Sequence, residues 1–321
     1  MAITQTSDLD AAATLAYNLE ANWALRASTL YSSPMLSKKK PTNQTHRGSS
    51  VRFWFYDDLA IATTALTEDT DVTAGKAADS YIDVTITEYG AATGSTAKMI
   101  GTDMLEFDQD VAVLNARQLA DSYEALARTA MLTRAGAYAS HILYGGDATE
   151  TVEVAAGDYL TASMIRKTVA RLRAENVAPI VDDKYVAFIS PYQSLDLREQ
   201  TGDAAWLAPV NQQKFEAIAN GYVGTFGGAV FYESSRVAEG DGDGAGSPAI
   251  NVTKGHMIGQ EAMAMAFSSK VSAETPQVRI SPVVDKLQRF YHIGWYWLGG
   301  FKLFRPEASW QFETATSIQT A

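Results

Sequence analysis

The stretch closest to a chemical motif is GYVGTFGGAVFYESSR, Gly221 to Arg236, with glycines at 221, 224, 227 and 228. Glycines this close together can bring a backbone up to a phosphate. The spacing G-x-x-G-x-x-G-G, however, matches neither G-x-x-x-x-G-K-[ST] nor G-x-G-x-x-G. No lysine follows, and AVFYES reads as a strand, whereas phosphate is held by amides at a helix N-terminus. The glycines therefore predict a turn with positive φ ahead of a strand.

EGDGDGAGS, Glu239 to Ser247, has the look of a calcium loop. Asp241 and Asp243 fit positions one and three, and Gly246 fits position six. Ala245 occupies position five, and Val252 stands where a bidentate glutamate belongs, so the plainer reading is a flexible acidic turn. The histidines, His46, His141, His256 and His292, have no ligand spacing. Neither G-x-S-x-G nor H-E-x-x-H occurs. The absence of cysteine excludes disulfides, thiolate metal sites and cysteine nucleophiles. No nucleophile or base is visibly poised, so the sequence predicts no enzyme and no cofactor, with Asp241 and Asp243 as the remaining metal candidates.

Arg166, Lys167, Arg171 and Arg173 make one predicted helix basic. A solvated face and the helix dipole account for them. Their second possible role is to receive the acidic stretch Glu68, Asp69 and Asp71 of another copy.

The 321 residues carry a formal charge of −11, with 46% hydrophobic and 20% charged residues. That allows a substantial core, and it repels nucleic acid unless a local basic patch overrides the field. Were many copies to enclose DNA, the same charge would keep the polymer off the wall. No secretory signal is visible. FYHIGWYWLGGF, Phe290 to Phe301, is too short to cross a bilayer as a helix, which needs about 20 residues.

These residues must be positioned by a mixed set of elements. Leu15, Leu19, Trp23, Leu25 and Leu30 recur at helical spacing between Asp8 and Tyr31, and a basic connector, SSPMLSKKKPTNQTHRGSS, follows. VRFWFY and YIDVTIT read as a hairpin, with Ile82, Val84 and Ile86 on one face. Its acidic stretch Leu66 to Ser80 has almost nothing to bury and projects from the body. A pattern from Phe107 to Tyr144, free of Gly and Pro from Glu106 to Ala135 and with Val111, Leu114, Leu119, Tyr123, Leu126 and Ala130 as its stripe, predicts a helix of about 55 Å. That matches the diameter of a compact globule of this length, about 50 Å, and so implies an elongated body. A second helix and a glycine-rich α/β region follow. The chain closes on aromatic strands joined near Gly299 and Gly300, with the long helix as their packing partner.

In this order the pieces resemble the major capsid proteins of tailed bacteriophages, with their Hong Kong 97-like α+β fold, and most of all the family typified by the N4-like phages. SSPMLSKKKPTNQTHRGSSVRFW is similar to that family's arm-to-hairpin passage, and IATTALTEDTDVTAGKAADSYIDVTITEYGAATGSTAKM to its extended loop. FISPYQSLDLREQTG with GYVGTFGGAVFYESSR resembles its strand, helix and glycine turn, and HIGWYWLGGFKLFRPEASWQFET its closing sheet. The resemblance implies an N-terminal arm over 1–50, an extended hairpin loop over 51–104 and a peripheral domain with a spine helix over 105–184. An axial domain over 185–271 and a return to the peripheral domain over 272–321 complete it. It implies a shell subunit, made in the host cytoplasm, that forms pentamers and hexamers around DNA without reading its sequence. A separate scaffolding protein, a portal and possible decoration proteins would be its partners, and no membrane is involved. Lys76 stands where some relatives form a crosslink, but no asparagine or assisting acid is singled out. Two rivals are a cellular nanocompartment shell of the same fold and a calcium-dependent surface or binding protein.

Overall fold

The computed structural model describes residues 37–42, 48–56, 75–96, 98–99, 107–134, 139–200, 222–246, 248–269, 274–281 and 289–319, with isolated positions between 59 and 71. The predicted helix over 8–31 and His46 lie outside the described residues. The connector contains a strand, β1 (Ser37–Thr42), rather than polar loop alone. It pairs in parallel with β11 (Met263–Ser268) at the edge of a sheet, where Pro41 is tolerated.

β2 (Ser50–Tyr56) and β3 (Asp79–Thr85) form the expected antiparallel hairpin. β4 (Thr87–Thr96) then runs the whole length of β13 (Phe290–Leu303), from Thr87 opposite Gly299 to Thr96 opposite Phe290. On its other side β13 pairs with β11 and with β12 (Gln277–Ser281). Gly299 and Gly300 are therefore not a joint but lie inside one continuous strand. A Cβ at Gly299 would stand 2.4 Å from the Trp297 ring, and one at Gly300 2.1 Å from the Thr85 carbonyl oxygen. These glycines let β13 pass beneath an indole and beneath the hairpin. The chain turns later, at Pro306–Ala308.

Helix α1 spans Phe107–Leu132, 26 residues and about 39 Å, shorter than the pattern predicts. Near its end Thr129 and Thr133 donate their hydroxyls to the carbonyls of Ala125 and Thr129, both at 2.8 Å. The Arg134 guanidinium turns inward to the Ser309 carbonyl at 2.7 Å. HILY then supplies β5 (Ile142–Tyr144), which pairs with β14 (Ser309–Thr314). A ladder with β14 satisfies that backbone where another helical turn would have been expected. The buried stripe also differs: Leu114 is 62% exposed, while Ala116, Ala120, Ala127 and Met131 face inward.

The second sheet has seven strands in the order β5, β14, β10 (Val252–Ile258), β6 (Tyr185–Ile189), β8 (Ala229–Glu233) and β7 (Tyr222–Phe226), with β9 (Ala238–Gly240) also on β10. Helix α2 (Ala162–Ala174) buries Ile165, Val169 and Leu172 against it. Helix α3 (Pro191–Glu199) starts with the expected Ser190-Pro191 signal and a complete capping box to Gln193. The sheets cross the boundaries that the sequence pattern sets at 184 and 271. β5, α2 and β14 belong with the second sheet, and β11 with the first.

β11 shows how the layers meet. Met263 enters the core of the seven-stranded sheet, and Met265 the core between α1 and β13. Ala264 and Ala266 face the hairpin on the opposite side. Helix α1 spans two of these cores, with Val111 to Tyr123 over β13 and Ala127 and Met131 reaching the second sheet.

Candidate subunit interface

The β2–β3 hairpin has two unlike faces, because side chains alternate along each strand. Val51, Phe53 and Val84 pack with Phe304, Ala264 and Ala266, and Ile82 and Ile86 join them as the sequence pattern predicts. On the other face Arg52 makes two 2.7 Å hydrogen bonds to Asp83, and its guanidinium lies 3.6 Å from the Tyr81 ring centre. Trp54 meets Tyr81 at 5.2 Å. The hydrogen bonds from Arg52 hold the Asp83 carboxyl below its ordinary range. This outer face is built yet uncovered: Trp54 is 51% exposed, Tyr81 50% and Tyr56 80%. Lys302 donates to the Asp83 carbonyl at 3.1 Å and pins the hairpin's root to β13.

Among the described residues between Tyr56 and Asp79 there is no further strand. Leu59, Ile61 and Leu66 point to solvent here, as do Glu68, Asp69, Asp71 and Lys76. Sequence reasoning found the acidic residues and missed the apolar ones. Their signal was the spacing of LAIATTAL, which is strand-like although no core strand forms from it.

The basic residues of α2 lie in a different part of the fold, over the second sheet. Arg166 stands 5.1 Å over the Phe226 ring and Arg171 4.6 Å over Trp310. Arg173 reaches toward Gly228, where a Cβ would stand 3.2 Å from its guanidinium. Lys167 is exposed. Much of this basic face therefore lies across aromatic and glycine positions of its own chain. The glycine stretch forms the β7–β8 turn, with Gly227 at φ 59° and Gly228 at φ 95°, leaning on α2. Both values are left-handed, which explains glycine at each position.

Asp243 accepts a 2.9 Å bond from Lys254, so a cation already faces it, and Asp241 is exposed in the turn. Among the described residues no three His, Cys, Asp or Glu side chains come together as a metal site. His141 stacks on Trp310 at 4.3 Å with its Nε2 3.7 Å from Glu175, and His292 is exposed on β13.

His256 is fully buried on β10, opposite Gln311. Burial holds its pKa well below the ordinary value, and the nearby Arg134 adds to the effect. Burial also lowers the Arg134 guanidinium, to about 10. The sign for stability follows. The unfolded chain binds a proton below about pH 6.5 while the folded chain does not, so His256 lowers stability as pH falls through that value, by up to about 1.4 kcal/mol per pH unit. Urea unfolding of His256→Gln is expected to show a slope between pH 6.5 and 5.5 smaller by about one proton. Equal slopes would mean that His256 becomes protonated in place.

No helix among the described residues is long and apolar enough to cross a membrane. A sequence model of the phage capsid protein family matches residues 8–313. The chain belongs to that family. No curated protein sequence matches it. Solved structures give the fold. The capsid of Ralstonia phage GP4 is 16% identical, with a TM-score of 0.69 over 90% of each chain. The Cyanophage Pam1 capsid is 15% identical, with a TM-score of 0.61 over 87% of this chain and 88% of that one. The mature capsid of bacteriophage PhiM1 is 12% identical, with a TM-score of 0.59 over 89% of this chain and 87% of that one. The fold is Hong Kong 97-like and the protein is a major capsid protein, a structural subunit of the virion that assembles with its own copies into a phage head shell.

Proposed function

We propose that this capsid protein assembles as pentamers and hexamers of an icosahedral shell around double-stranded DNA, with the β2–β3 hairpin lying across a neighbouring copy. The supporting observation is the exposure of Trp54, Tyr81 and Tyr56 on the hairpin's outer face and of Leu59, Ile61 and Leu66 in the segment after it. Large apolar side chains left uncovered in one part of a chain suit a protein contact. The acidic residues Glu68, Asp69 and Asp71 give the contact its charge, with the exposed Arg166, Lys167, Arg171 and Arg173 of α2 as candidate partners. The α1 and five-stranded layer would form the peripheral part of the subunit, and the seven-stranded sheet with α2 and α3 the axial part. Each contact is weak alone, and closure of many contacts together gives a stable lattice that still permits error correction. The role is structural rather than enzymatic. The net charge of −11 keeps packaged DNA from adhering to the wall. A separate scaffold and a portal serve its assembly, and synthesis is in the host cytoplasm.

Light scattering of the chain co-expressed with its scaffold is expected to show discrete large particles, seen as closed shells by electron microscopy. A chain that stays monomeric at every concentration and with every neighbouring gene product would sink the proposal.

A further inference from the structure

β4 takes only β13 as a partner among the described strands, so its other long edge has no strand beside it there. The glycines of this ladder show which backbone groups that edge carries. A Cβ at Gly294 would stand 2.5 Å from the Ala91 carbonyl oxygen, and one at Gly90 2.7 Å from the Trp295 carbonyl oxygen. Ala91 and Trp295 are opposite each other, so both carbonyls point inward across the ladder. Peptide directions alternate along a strand, and Glu88, Gly90, Ala92 and Gly94 therefore aim their N–H and C=O groups outward. All four residues are exposed.

This edge has none of the devices that blunt an open strand. β4 contains no lysine and no proline, and its register with β13 runs from Thr87 to Thr96 without a bulge. Its single charge is Glu88, near one end. Such an edge is a template for another strand, and a shell supplies many copies of the same one. Two copies pair antiparallel about a two-fold axis normal to the sheet. With the axis at Ala91, Glu88 meets Gly94 of the sister copy and Gly90 meets its Ala92, so every outward N–H and C=O finds a partner. The two Glu88 carboxylates then lie about 20 Å apart, well beyond the screening length of about 8 Å. Each α1 packs over its own β13, and the two helices stand three strand spacings apart, about 14 Å, enough to clear a helix diameter of about 10–12 Å.

We infer that the open edge of β4 docks on β4 of a sister copy, the two strands pairing about Ala91 and joining two five-stranded sheets into one. This deepens the shell reading and rests on it. The contact lies on the layer assigned to the peripheral part of the subunit, and two-fold axes between neighbouring rings relate such pairs.

The chain has no cysteine, so a single introduced one can pair only with the same position of another copy. Ala91→Cys faces itself across the axis in a non-hydrogen-bonded pair, with Cα atoms about 4.5 Å apart, inside the range that a disulfide spans. Thr87→Cys, about 27 Å from its mate, is the control. Oxidised shells are expected to hold more than half of the Ala91→Cys chains as disulfide-linked dimers, and fewer than about a tenth of the Thr87→Cys chains. Shells without Ala91→Cys dimers, or with equal amounts from both positions, would overturn the inference and leave the edge to a strand of another protein. A second variant, Ala92→Pro, removes an outward N–H and keeps the ladder with β13. It is expected to cut the yield of closed shells at least tenfold with an unchanged circular dichroism spectrum; a normal yield also overturns the pairing. Micrographs of the unmodified chain separate the two readings. Closed shells that fail these tests reject the β4 pairing alone, whereas no closed shells from the unmodified chain reject the shell and the pairing with it.

Discussion

Replacing residues 57–78 by Asn-Gly is expected to leave a folded, soluble subunit that forms no closed shells. The substitution keeps every pair of the β2–β3 ladder, from Ser50 with Thr85 to Tyr56 with Asp79, and closes it with a turn suited to a two-residue hairpin. The inner face of Val51, Phe53 and Val84 stays packed, so the subunit keeps its core. What is lost is Leu59, Ile61 and Leu66, exposed by 70%, 88% and 76%, together with Glu68, Asp69, Asp71 and Lys76. Burying three such aliphatic side chains on a neighbour is worth about 1.5–3 kcal/mol each before the costs of association. Every subunit loses that contact, so the deficit multiplies through the lattice. The check is particle yield by sucrose gradient and microscopy, with circular dichroism confirming the fold. Normal yields of intact shells would remove the hairpin from the account of assembly.

Trp297→Ala is expected to lower the stability of the subunit by about 3–5 kcal/mol. Trp297 is fully buried where α1 crosses β13. It meets Tyr123 at 5.0 Å edge-on, Phe301 at 5.3 Å and Tyr89 at 5.9 Å, and it donates its indole N–H to the Glu274 carbonyl at 3.0 Å. Removing the ring leaves a cavity and takes the shorter of two donors from the Glu274 carbonyl, and Gly299, whose lack of a side chain makes room for the ring, cannot fill the space. Typical stabilities of 5–15 kcal/mol make this a large fraction of the total. Trp297→Phe keeps most of the packing and is expected to cost less than half as much. Equilibrium urea unfolding decides: a loss below about 1 kcal/mol for the alanine variant would show that α1 is held to the sheet by other contacts.

Much of this was legible along the chain, for identifiable reasons. The hairpin faces follow from period-two alternation in VRFWFY and YIDVTIT. The glycine turn follows from the need for positive φ at Gly227 and Gly228. Ser190-Pro191 marked the start of α3. Each of these signals is local, set by the residue's own backbone preference or by neighbours within one turn or two residues.

The errors fall where a distant partner overrides the local pattern. HILY continues a helical pattern, yet β14 draws it into a sheet. SKKKPT reads as loop and becomes a strand because β11 has an open edge. Gly299 and Gly300 look like a joint, but they make room for the Trp297 indole and the Thr85 carbonyl, neither visible from their own spacing. Arg166 and Arg171 form the solvated face that the pattern predicts, but the rings of Phe226 and Trp310 beneath them come from distant parts of the chain. The pattern along the chain set most elements and their order, and that order resembles the family. Which edges pair, which rings lie beneath the basic residues and which apolar residues stay uncovered depend on packing, most of it between residues 60 to more than 200 positions apart. Local propensity carries no information about such contacts.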